Sequence, residues 1–126
     1  MTKSISFQKG SIPLIKKGRK IVTRRIKFTG NPGNIFYFKV GRFGKKEGYI
    51  KICNVMKVRL RDIRGDTREL VREGFYENYP ECFTRFVCLW DFLNDKKGYR
   101  WGDDPTVYRI KFEYLGESLN EKYNKG

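Results

Sequence analysis

Residues 49–61 alternate, and that alternation restricts the fold to one built on a sheet with one buried and one solvated face. Ile50, Ile52, Met56, Val58 and Leu60 share one parity, while Lys51, Lys57, Arg59 and Arg61 share the other. Successive side chains of a strand point to opposite faces, so the segment reads as a half-buried strand. Asn54 breaks the apolar series, and a bulge is expected near it. Tyr108, Ile110, Phe112 and Tyr114 alternate with Arg109, Lys111 and Glu113, which predicts a last strand of the same kind. Ile35-Phe36-Tyr37-Phe38-Lys39-Val40 is strongly β-prone. Asn31–Asn34 reads as a turn, and Gly44–Gly48 as a hairpin connection.

Elsewhere the period is helical. Residues 11–18 read as a short helix capped by Ser11, with Pro13 in its first turn and Gly18 as its stop. The basic stretch Arg19–Ile26 then enters a strand. Asp66-Thr67-Arg68-Glu69 resembles a capping box, and Gly74 can end the helix it starts. A second helix begins at Asn78, Pro80 and Glu81. Its apolar face is Tyr79, Phe83, Phe86, Val87, Trp90 and Leu93. Residues 94–106 read as a loop. Strands with inserted short helices give an α+β fold on a small, strongly bent sheet or barrel. The 126 residues fit one domain, 1–126, with its core at about 5–115. Residues 1–4 and the basic, partly flexible tail 116–126 are expected to be loose.

Charge says most about partners. Residues 1–63 carry 17 lysines and arginines against two acids, and residues 64–126 carry 11 against 12. The first half is therefore +15 and the second −1. Such asymmetry suits a polyanion, because each phosphate contact releases counterions. A lysine-rich solubility surface and a composition bias of the source are the bland alternatives. RNA or another single-stranded nucleic acid is the expected partner, bound by a monomer. No apolar run is long enough to cross a bilayer and no secretion signal opens the chain, so a cytoplasmic location is the default. The chain has no histidine, which removes Ser-His-Asp and Cys-His mechanisms. Cys53, Cys82 and Cys88 form no Cys-x-x-Cys pair and read as buried thiols. No metal and no cofactor is expected.

Three segments stand together as chemistry-bearing: Gly18-Arg19-Lys20-Ile21-Val22-Thr23-Arg24-Arg25, Val40-Gly41-Arg42-Phe43, and Glu73-Gly74-Phe75 before an aromatic helix. In a flat strand Lys20 and Thr23 point to opposite faces, so they converge only if the chain turns between them. In this order the segments resemble the ASCH domain family, across roughly residues 7–115. The resemblance implies a PUA-like β-barrel fold. It also implies either RNA binding or one of two activities, N4-acetylcytidine amidohydrolase or ribonuclease. For the amidohydrolase it implies Lys20, Thr23 and Glu73 as the catalytic group, with Thr23 as nucleophile and Lys20 as base. A ribonuclease without histidine needs Lys20 or Tyr37 for acid–base work. Candidate nucleic-acid contacts are Arg19, Lys20, Arg24 and Arg25 of the first segment and Arg42 of the second. The polar strand face adds Lys51, Lys57, Arg59 and Arg61. Arg100 and Trp101 of the 94–106 loop can stack a base beside a cation, although Trp101 as cover for a barrel end is the alternative.

Overall fold

The structure, a computed structural model, describes residues 3–119. Its strands are β1 (Lys3–Phe7), β2 (Val22–Arg25), β3 (Ile35–Val40), β4 (Lys46–Arg59) and β5 (Thr106–Gly116). Its helices are α1 (Ser11–Lys16), α2 (Thr67–Arg72) and α3 (Glu81–Leu93), with 3-10 turns at Leu60–Ile63 and Trp101–Asp103. The strands form one mixed sheet in the order β1-β3-β4-β5-β2, with β1 parallel to β3 and every other pair antiparallel. The α+β expectation holds.

The barrel is only approximate. Strands β1 and β2 are the two sheet edges and do not pair with each other. Side chains span the gap instead: Arg25 of β2 donates to the Ser6 carbonyl of β1 at 2.5 Å and lies over the Phe7 ring at 5.0 Å.

β4 and β5 fix which side chains share a face. Ile50 and Ile52 of β4 pack with Ile110 and Phe112 of β5, with β1, β3 and α1 completing this first cluster. Val107 and Val58 face the other way, against Leu70, Phe86 and Trp90 of α2 and α3. The register slips between Ile52 and Asn54, which puts the extra residue at Cys53, beside the expected Asn54. The slip reverses parity. Val55 takes the place in the first cluster that the unbroken pattern assigned to Met56, and Met56 is exposed.

Several local expectations need correction. Residues 3 and 4 belong to β1 rather than to a loose end, because the strand finds its partner 33 residues away in β3. Gly10, not Ser11, occupies the N-cap of α1. The hairpin connection is 41–45, since Lys46 and Gly48 already pair with Lys39 and Phe38. On α3 the buried residues are Cys82, Phe86 and Trp90, whereas Tyr79 and Leu93 are exposed. Only Cys82 of the three thiols is buried. The tail from 120 onward lies outside the described residues. Among the described residues, no helix is long and apolar enough to cross a membrane.

Candidate functional site

Gly18 ends α1 in the left-handed region at φ 71°. The backbone N–H groups of Arg19 and Lys20 both donate to the Leu14 carbonyl, at 2.8 and 3.1 Å. Ile21 donates to the Arg72 carbonyl of α2 at 2.9 Å, and its own carbonyl accepts from Phe112 of β5 at 2.9 Å. The segment before β2 is thus tied to three elements. Lys20, which precedes the strand, and Thr23, within it, both reach one cleft.

Lys20 Nζ donates to the Val22 carbonyl at 2.9 Å, the Glu73 carbonyl at 2.7 Å and Glu73 Oε1 at 3.4 Å. Thr23 pairs with Ile110 and Arg25 with Tyr108, so both face the first cluster. Arg24 pairs with Arg109 on the opposite face. Glu73 caps the C-terminus of α2, and Gly74 follows at φ 103°. A Cβ on Gly74 would lie 3.3 Å from Leu14 Cδ1 and 3.6 Å from Lys20 Cβ, so glycine permits this close approach.

Lys20, Thr23, Arg24, Glu69 and Glu73 are all buried. Arg24 bridges the acids, with NH1 2.7 Å from Glu73 Oε2 and NH2 2.6 Å from Glu69 Oε2. Arg109 also pairs with Glu69. A continuous ionic chain therefore runs Lys20–Glu73–Arg24–Glu69–Arg109. The Arg24 Nε is buried with no hydrogen-bond partner among the described residues. Burial pushes Lys20 below its ordinary value; Glu73 pulls the other way, and Arg25 and Arg24 add to the lowering. Burial also lowers Arg25, to about 10, against an opposing pull from Glu73. For Glu69 burial pushes upward, yet hydrogen bonds from Arg109 and Arg24 outweigh it and hold the carboxyl at about 2.

Lys20, Thr23 and Glu73 line one cleft of about 730 Å³, where the two apolar clusters meet. Phe7, Leu14, Phe75, Phe86 and Trp90 supply apolar wall. This volume lies in the range of small-molecule sites. Its walls carry six cations, Lys20, Arg24, Arg25, Lys27, Arg85 and Lys96, against one acid, Glu73. Among the described residues, no three carboxylate, thiol or imidazole groups gather as a metal ligand set.

The remaining sequence candidates divide. Arg19, Arg42, Lys51 and Lys57 are exposed, with Arg42 over Phe43 at 5.4 Å and Lys57 over Tyr108 at 5.6 Å. Arg59 and Arg61 share Asp104, and Arg100 Nε pairs with Asp95 Oδ1 at 2.9 Å. Arg24 is a poor phosphate contact, because it is buried and both its terminal nitrogens serve carboxylates. Trp101 is no open stacking platform. Its ring meets Phe83 edge-on at 5.1 Å and packs on the second cluster, which is the covering role. Tyr37 is not among the residues of the cleft wall. Glu69, Arg109, Lys27 and Arg85 were not singled out from the sequence. The capping pattern at Asp66–Glu69 marks Glu69 only as part of a helix start.

No family model matches the sequence, and no curated protein matches it significantly. Solved structures do resemble it. An ASCH domain from Lactobacillus crispatus has a TM-score of 0.66 at 14% identity, over 91% of this chain and 80% of its own. A protein from Enterococcus faecalis has a TM-score of 0.67 at 13% identity, over 94% and 82%. A point variant of an ASCH protein from Zymomonas mobilis has a TM-score of 0.52 at 10% identity, over 98% and 81%. At such identities the likeness is one of fold, and at that level the expected resemblance holds: this chain folds as the ASCH-domain proteins do.

Proposed function

We propose that the cleft binds a nucleobase and hydrolyses an acyl amide on it, with N4-acetylcytidine the substrate class that the family resemblance implies. The observation that carries this reading is the meeting of buried Lys20, Thr23 and Glu73 on one cleft wall. Thr23 Oγ1 attacks the acetyl carbonyl carbon, and its proton passes to neutral Lys20 Nζ. A backbone N–H of the cleft wall stabilises the oxyanion. Collapse breaks the C–N bond, and Lys20 returns the proton to the departing cytosine amine. Water then cleaves the acyl-threonine, releasing acetate and restoring the hydroxyl. In the resting site Nζ has three acceptors, which suits the ammonium. The reactive form is the deprotonated one that burial favours.

The test is acetate release from N4-acetylcytidine. Release by the wild type, abolished in Thr23→Ala and Lys20→Ala, is expected. No release by the wild type, or turnover unchanged in both variants, overturns the reading.

A second reading is RNA binding without chemistry, and the cation excess of the cleft favours it. Labelled RNA is then expected to bind at low salt and to dissociate as salt rises. Binding that ignores salt sinks it.

A further inference from the structure

The cleft does not end at Arg25. A second hollow of about 340 Å³ adjoins it, and the two share Ser6, Arg25 and Lys27 as a common wall. The hollow lies at the seam where β1 and β2 fail to pair. Phe28 and Phe36, stacked at 5.4 Å, give it an apolar side, and Lys3 lies on its wall. Its lining holds three cations and no acid.

The shared wall is electrostatically unusual for this protein. Seven other arginines, including Arg24, Arg85 and Arg109, are paired with carboxylates, and the remaining four, Arg19, Arg42, Arg64 and Arg68, are exposed. Arg25 is half-buried and makes no ion pair among the described residues, Glu73 acting on it only at longer range. One of its nitrogens serves the Ser6 carbonyl, and Phe7 covers its face. A cation withdrawn from water with no carboxylate in direct contact and only the longer-range pull of Glu73 is costly, and an anion from outside offsets that cost. Lys27, exposed and likewise unpaired among the described residues, stands beside it.

We infer that Arg25 and Lys27 hold the phosphate linking two nucleotides, with one base in the cleft and its neighbour in the β1–β2 seam against Phe28. The ligand is then a single-stranded oligonucleotide of at least two units rather than a free nucleoside. This rests on the reading that the cleft takes a nucleobase. It adds a second subsite, a direction of approach and a minimum length.

Calorimetric titration at fixed low salt tests it, with cytidine, its 5′- and 3′-monophosphates and the dinucleotide CpC, in ribose and deoxyribose forms. CpC is expected to bind roughly 10-fold or more tighter than any of the single units, the scale of one added base stack. Lys27→Ala is expected to shrink the CpC-to-cytidine affinity ratio several-fold. A monophosphate that binds as tightly as CpC removes the second subsite. Equal binding of cytidine and CpC, or a ratio unmoved by Lys27→Ala, removes the phosphate clamp. Acetate release from N4-acetylcytidine and from N4-acetylated CpC, followed in the same preparation, separates the two ideas. Release without a CpC advantage overturns this inference alone, and a CpC advantage without release overturns the hydrolase alone. Failure of all the ligands to bind overturns both.

Discussion

Arg24 NH1 donates to Glu73 Oε2 at 2.7 Å from the face of β2 opposite Thr23. Sequence neighbours thus serve one site from two sides. Thr23 points to the face of the first cluster and lines the cleft, while Arg24 reaches the acid that holds Lys20. Arg24 is itself fixed by Glu69, and Glu69 by Arg109. Positions of the proposed reacting groups therefore depend on charges outside the cleft wall.

Breaking that chain at Arg24 leaves buried carboxylates short of a cation. Arg24→Met keeps much of the side-chain volume and removes the charge. A loss of about 3 kcal/mol is expected, in keeping with other buried pairs deprived of one partner. Adding Glu69→Gln should cost less in the Arg24→Met background than in the wild type, because Arg24 is no longer there to lose its partner. Urea denaturation of both single variants and the double variant measures the coupling. Additive losses would show that the two groups do not act together.

Acid should find the same weak point. Glu69 titrates at about 2 in the fold against an ordinary 4.5. A depressed carboxyl stabilises the fold above its unfolded value and loses that contribution as pH falls through the folded one. About 3 kcal/mol should therefore disappear between roughly pH 4.5 and pH 2. Glu69→Gln should start less stable at neutral pH and show a flatter decline over that window. A decline of equal slope in both proteins would locate the acid sensitivity elsewhere.

Much of the fold is legible from single segments, because alternation and caps are local. The strands 35–40 and 106–116 and both later helices announce themselves in their own side chains. What stays hidden is pairing at a distance. β1 spans five residues and pairs with β3, and its local signal is no more than the brief alternation of Ile5 and Phe7 with Ser4 and Ser6. The bulge at Cys53 is signalled by Asn54, but the parity change beyond it, which exposes Met56, appears only in the register with β5. In the site, the resemblance to the ASCH family is what marks Lys20, Thr23 and Glu73 as candidates. Their convergence depends on the Leu14 and Arg72 carbonyls, which no pattern encodes. Glu69 and Arg109 are 40 residues apart and meet only through the sheet register that sets Arg24 beside Arg109.

Gly74 tests how closely α2 must approach Lys20. Its φ of 103° disfavours any L side chain, and a Cβ there would crowd Leu14. Gly74→Ala should cost about 1–2 kcal/mol. Because Lys20 Cβ also lies within contact of the new methyl group, acetate release should fall more than stability alone accounts for. Thermal melting and turnover at a temperature well below the transition separate these effects. Unchanged melting would mean that the turn relaxes without strain.

The direction of the Lys20 shift gives the sharpest test of its role. Burial places its titration below the ordinary 10.5, with Glu73 opposing and Arg25 assisting. If neutral Lys20 is the base, turnover should rise about tenfold per pH unit below that titration and level off above it. Glu73→Gln removes the group that favours the ammonium, so the rising limb should move to lower pH. Arg25→Gln removes a repelling cation, so the limb should move to higher pH. The limb position is the readout, because both changes also affect binding and absolute rate. Lys20→Arg should lack the limb altogether, since its guanidinium stays protonated. Opposite displacements in Glu73→Gln and Arg25→Gln require a titrating group that feels both charges, which Lys20 does. A limb that moves in neither variant would assign the proton transfer to another group and leave Lys20 a structural cation.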